Sequence, residues 1–175
     1  RRNAVSGRRA HPVLVRDKYK GYYLLCVGFT GTVLNQFLKL LCRVPRPWVI
    51  DPAFTIVESA RAGATGYSFP SGHTQAAASV YGCLARLSRK KWLSALLWGV
   101  FALVAFSRMY LGVHTPWDVL TAAALGLVLI CGLYPLFRDI KDLPARLYAV
   151  LLAQCALALG FVLYAALCRF PADMD

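Results

Sequence analysis

Acidic side chains are the scarce component of this chain. Eight Asp and Glu stand against twenty Lys and Arg in 175 residues, and charge of either sign makes up only 16% of the sequence. A catalytic centre built on two divalent ions wants several oxygen ligands, and so few carboxylates provision it poorly. Cysteine supplies no substitute. Cys26, Cys42, Cys83, Cys131, Cys155 and Cys168 contain no C-x-x-C pair, which argues against a zinc site or a disulfide framework. Most fall in apolar runs, where a thiol packs as a small hydrophobe. Also missing are a G-x-x-x-x-G-K-[ST] loop, an internal repeat and a low-complexity tract. The first twenty residues lack the short apolar core and cleavage site of a signal peptide. The chain opens on Arg1 rather than Met, and the expectation is a processed or truncated amino terminus with further spans upstream.

Apolar residues are what is abundant, at 58%, with a mean hydropathy of +0.52. Runs close to the ~20 residues that span a bilayer occur at 22–41, 92–111, 117–137 and 147–167, with a shorter, small-residue-rich run at 72–87. The fold class expected is all-α: a multi-pass transmembrane helical bundle with about five spans in this chain. Residues 1–21 read as a basic cytoplasmic juxtamembrane segment in which Gly7 and Pro12 interrupt any regular pattern, 22–146 as the core, and 147–175 as an additional helix with a short acidic tail. Within the sizeable loop, residues 54–61 are expected to form a short amphipathic helix, with Glu58 and Arg61 paired on its surface. The net charge of +12 does not indicate nucleic acid, because the cations lie beside spans rather than on a basic domain of their own.

If the spans alternate, the side bearing the amino terminus collects fourteen of the twenty Lys and Arg. The positive-inside rule makes that side cytoplasmic. The other side then holds Lys39, Arg43, Arg46, Arg61, Arg108 and Arg169, three of which belong to motif-like clusters: Lys39-x6-Arg46-Pro47, Pro70-Ser71-Gly72-His73, and Ser107-Arg108-x5-His114-x3-Asp118. Cations placed against the charge rule call for a reason other than orientation, and a shared anion site on the extracytoplasmic face supplies one.

Phosphoryl transfer asks for neutralised phosphate oxygens, a placed nucleophile and a proton for the departing oxygen. Lys39, Arg46 and Arg108 suit the first task, helped by Ser71 and Gly72 at a helix start. His114 with Asp118 suits the second, since a carboxylate on one ring nitrogen fixes the tautomer and leaves the other free to attack. His73 suits the third. Thr115 is placed as an N-cap with Pro116 at the first helical position. Singly each piece is an ordinary turn, cap or helix end, but their order along one membrane face is not explained that way.

The three clusters together resemble the signature of the type 2 phosphatidic acid phosphatase superfamily, which includes vanadium haloperoxidases: K-x6-R-P at residues 39–47, P-S-G-H at 70–73 and S-R-x5-H-x3-D at 107–118. The resemblance implies a metal-independent phosphohydrolase, without cofactor, whose active site is extracytoplasmic; the membrane expected is a bacterial plasma membrane, with an internal eukaryotic one left open. It implies that His114 forms a phosphohistidine, that Asp118 supports it, that His73 protonates the leaving group, and that Lys39, Arg46, Ser71, Gly72 and Arg108 bind phosphate. The partners it implies are the bilayer and a lipid phosphate or pyrophosphate. Phosphatidate-like lipids, phosphatidylglycerophosphate and polyprenyl pyrophosphate all stay open, as does the oligomeric state. The pattern departs from membrane members in lacking two spans ahead of the first motif and carrying one after the last. Alternatives are a vanadate-dependent haloperoxidase and a non-catalytic protein that binds or transports an anionic lipid.

Overall fold

Among the described residues, apolar runs punctuated by Pro, Gly and clustered charge fold into helices alone. The structure, a computed structural model, describes residues 11–138 and 143–168, with side chains from 18 to 138 and 145 to 168. The expected basic turn at 139–142, the acidic tail and residues 1–10 lie outside the described residues. In order, the elements are α1 (His11–Cys42), α2 (Pro47–Ile50), α3 (Glu58–Arg61), α4 (Gly72–Ala77), a π-helical turn (Ala78–Gly82), α5 (Cys83–Leu87), α6 (Lys91–Tyr110), α7 (Pro116–Arg138) and α8 (Leu143–Leu167). Among the described residues, four helical segments are long and apolar enough to cross a membrane, the segments containing α1, α6, α7 and α8.

The half-length run at 72–87 sits at the centre, packed by α1, α6 and α7. Its composition explains the position. Thr74, Ala77, Ala78, Ser79, Gly82 and Ala85 are all buried, and small side chains let membrane helices approach closely. A Cβ added at Gly126 of α7 would stand 2.5 Å from the Ala78 methyl, so the π turn and α7 meet nearly backbone to backbone. Towards the other end of the bundle from the three sequence motifs, Tyr23, Cys26, Val27, Cys83, Ile130 and Phe137 form the core, and the Tyr23 hydroxyl donates to the Ile130 carbonyl at 2.6 Å. No residue of α6 is buried. By contrast, α8 is fixed to α1 by a polar contact: Gln154 Nε2 donates to the Cys26 carbonyl at 3.0 Å and to Thr30 Oγ1 at 3.1 Å.

Two expectations are corrected. Residues 11–21 of the basic segment are already helical as part of α1, so Pro12 does not interrupt the pattern there. Of residues 54–61 only Glu58–Arg61 turns into helix, since Val57 donates its N–H to the Leu111 carbonyl at 3.2 Å and is held extended against the α6–α7 connection. Glu58 and Arg61 do pair on the surface, at 3.7 Å. Gly112 completes that join: its φ is +73°, and a Cβ there would meet the Thr55 carbonyl oxygen at 2.7 Å.

Candidate active site

The start of α7 builds the buried acid. Thr115 caps the helix reciprocally with Asp118: the Asp118 N–H donates to Thr115 Oγ1 at 3.3 Å, and the Thr115 N–H donates to Asp118 Oδ2 at 2.8 Å. The carboxylate is 1% exposed, and Ser68 Oγ donates to the same Oδ2. His114, just before the cap, brings Nδ1 to 3.4 Å from that oxygen, while Nε2 lies 3.1 Å from Arg46 Nη1. A carboxylate only accepts, so this arrangement suits a proton on Nδ1 and a lone pair on Nε2. Burial first, then the charges of Arg46 and Lys39, holds the His114 imidazole below its ordinary value, against the opposing pull of Asp118.

The start of the central helix contributes next. Ser71 is the N-cap of α4, its Oγ accepting from Thr74 Oγ1 at 3.0 Å and from the Thr74 N–H at 3.4 Å, and its own N–H donates to the Asp118 carbonyl at 3.0 Å. That last bond docks one helix start on the other, which sets His73 and His114 on a common opening. His73 is exposed and Gly72 half-buried.

The cations arrive from two helix ends. Lys39, in the last turn of α1, donates from Nζ to the carbonyls of Tyr67 and Ser68. Arg46 follows the Pro45 break and is buried, with Nε donating to the Gly66 carbonyl at 2.8 Å, Nη1 to Val113 at 2.9 Å and Nη2 to Thr65 at 2.9 Å. It therefore laces the 61–68 loop to the α6–α7 connection while presenting its charge beside His114. Arg108, in the last turn of α6, donates from Nε to Ser107 Oγ at 3.2 Å.

These parts enclose a cleft of about 120 Å³ lined by Lys39, Arg46, Gly72, His73, Arg108 and His114, together with Val113 and residues 63–65. Six of the eight residues singled out from sequence thus share one opening. Ser71 and Asp118 stand behind it, the first as a helix cap and the second beneath the His114 ring. Sequence reasoning missed Ser68 and the Gly63-Ala64-Thr65 wall. Ser68 carried no signal beyond its place two residues ahead of Pro70, and the wall none at all. Among the described residues, no three His, Cys, Asp or Glu side chains converge as a metal-ligand group.

A bundle of membrane-length helices whose motif-bearing ends gather two imidazoles, three cations and a buried carboxylate belongs to the class of membrane proteins that handle an anionic group at the edge of the bilayer. Residues 19–142 match the model of the PAP2 superfamily, and the chain belongs to that superfamily, as an integral membrane protein. It is similar to phosphatidylglycerophosphatase B of Bacillus subtilis (strain 168), with 39% identity over 65% of this chain and 56% of the relative. It is similar also to undecaprenyl-diphosphatase BcrC of the same organism, 29% identical over 74% of this chain and 66% of the relative. A lipid A 4'-phosphatase of Porphyromonas gingivalis is 37% identical over 60% of this chain and 43% of its own length. The chain spans between about two fifths and two thirds of these relatives. No solved structure matches it.

Proposed function

We propose that this chain carries the catalytic core of a metal-independent lipid phosphatase that cleaves a phosphomonoester or pyrophosphate headgroup on the extracytoplasmic face through a phosphohistidine. The names of its relatives support the substrate class, all three being phosphatases of lipids. The observation that carries the mechanism is the junction of His73 and His114 in one cationic cleft, with Asp118 behind His114.

In this reading Lys39, Arg46 and Arg108 neutralise the phosphate oxygens, with the Gly72 backbone at the helix start adding an oriented donor. The Nε2 lone pair of His114 attacks phosphorus while Asp118 accepts from Nδ1–H and steadies the imidazolium character that develops. As the P–N bond forms, the P–O bond breaks, and the departing oxygen takes the proton held by His73. Water then attacks the phosphohistidine and gives a proton to the now neutral His73; the P–N bond breaks, inorganic phosphate leaves and His114 returns to its starting state. Lys and Arg supply the charge stabilisation that divalent ions supply elsewhere. The expected outcome is that His114→Ala abolishes phosphate release by purified protein in detergent, while chelators leave the wild type active. Full activity in the variant would overturn the assignment.

A further inference from the structure

At the end of the bundle away from the three motifs, a second cleft of about 340 Å³ opens between α1, the α5–α6 turn and α7. Lys20, Arg86, Arg89 and Arg138 line it beside Tyr19 and Tyr134, and its described lining holds no Asp or Glu. None of these residues borders the first cationic cleft. The positive-inside rule asks only that cations lie at one end of the spans; it does not ask four of them to share an opening. Helix-end charge accounts for Arg86 and Arg138, in the last turns of α5 and α7, but not for Lys20, well inside α1. One wall is braced by stacked rings. Arg86 Cζ lies 4.2 Å from the Tyr134 ring centroid, and Tyr134 meets the buried Tyr23 edge to face at 5.7 Å. Stacking holds a guanidinium by its face, which leaves its edge donors to oxygen acceptors.

Beside this cleft runs an apolar groove of about 450 Å³, walled by Gly21 and Leu24 of α1, Leu84 and Leu87 of α5, and Leu93 and Leu97 of α6. Lys20, Leu87 and Ser88 line both spaces, so the cations stand at the mouth of a groove walled by leucine. The groove is open at Gly21, where an added Cβ would meet nothing within 4 Å. We propose that cleft and groove together bind one anionic phospholipid of the leaflet at that end, its phosphate among the four cations and an acyl chain along the groove. Charge complementarity chooses the occupant. Any lipid chain can enter an apolar groove in a bilayer, but four cations at its mouth favour a headgroup with net negative charge over a zwitterion. A soluble phosphate would meet the cations and leave the groove unused. Because the lining comes from α1, α5, α6 and α7, the bound lipid braces the bundle remote from the motifs and stabilises the folded chain. The inference is independent of the phosphatase reading, in which no group of this cleft takes part.

The test follows the thermal unfolding midpoint of the purified full chain in a neutral detergent, titrated with phosphatidylglycerol, phosphatidylcholine or glycerophosphoglycerol, the soluble headgroup of the first. Phosphatidylglycerol is a phosphodiester and offers no monoester to the motif cleft. It is expected to raise the midpoint saturably, by about 5–10 °C at a hundredfold excess over its Kd, and to bind at least about tenfold more tightly than phosphatidylcholine. Arg86→Gln and Arg138→Gln, both at exposed positions, are expected to weaken it about fivefold each. Gly21→Phe, which fills the groove and touches no cation, should weaken it as well, and it decides together with Arg138→Gln if loss of the Arg86 stack unfolds the chain. Arg108→Gln, in the motif cleft, should leave the response intact. Equal responses to the two lipids, a full response to glycerophosphoglycerol, or a response lost in Arg108→Gln but kept in Arg138→Gln and Gly21→Phe overturns the site.

Discussion

His114 is poised as a base by surroundings that oppose one another. Burial, Arg46 and Lys39 lower its proton affinity, whereas the Asp118 carboxylate raises it, and the net direction is down from 6.5. As the proposed nucleophile, His114 must be neutral before substrate binds, so the acid limb of kcat/KM is expected below pH 6.5. Asp118→Asn removes the one influence that favours the protonated ring; its acid limb therefore moves to still lower pH while kcat falls. Arg46→Met removes an opposing cation and moves the limb up. A pH–rate series on the three proteins checks both signs, and an Asp118→Asn limb at higher pH than the wild type would contradict this account. The histidines, the acid and the cations were legible as chemistry because their spacing matches helix starts and ends. Ser68 was not, because a serine acquires a role only when the 61–68 loop folds back to put its hydroxyl on Asp118.

Helix packing decides the element scale. The small-residue run at 72–87 reads as a helix that others can approach, and the structure makes it the shared neighbour of α1, α6 and α7. The π turn at Ala78–Gly82 was not legible, since a single inserted residue leaves no periodicity to detect in so short a run. Its tightest contact gives a direct test. Gly126→Ala is expected to destabilise by about 1–3 kcal/mol, because the new methyl meets Ala78 and both backbones are fixed. Gly99→Ala, on exposed α6 with open space around it, is expected to be neutral or to stabilise by about 0.5–1 kcal/mol. Thermal unfolding of the two in detergent reads the difference, and equal midpoints would refute the close approach. The helical course of residues 11–21 and the single turn at Glu58–Arg61 share one cause: local breakers and amphipathic patterns yield to where backbone hydrogen bonds can be made.

At the scale of the whole molecule, charge and chemistry divide between the two ends. Lys20, Arg86, Arg89 and Arg138 line a common cleft at one end, and the motif residues line theirs at the other. Alternating spans require this grouping, and the orientation proposed from the positive-inside rule puts the first end in the cytoplasm. A cysteine at exposed Thr65 (Thr65→Cys) is therefore expected to react with an impermeant thiol reagent in intact cells, above the labelling of the wild type. Arg89→Cys should react only after permeabilisation. The reverse pattern would turn the proposed active site to face the cytoplasm.

Hydropathy, charge and motif spacing by themselves determined the membrane bundle, the ends at which the motifs gather and six of the residues lining the cationic cleft. All of these depend on helical period and bilayer thickness, which act along the chain. Only the tertiary structure decided that Arg46 spends three donors on neighbouring carbonyls and that Asn35, Gln75 and His73 line one cleft. Each of these depends on residues distant in sequence, whose contacts form when packed helices and a folded loop exclude solvent together.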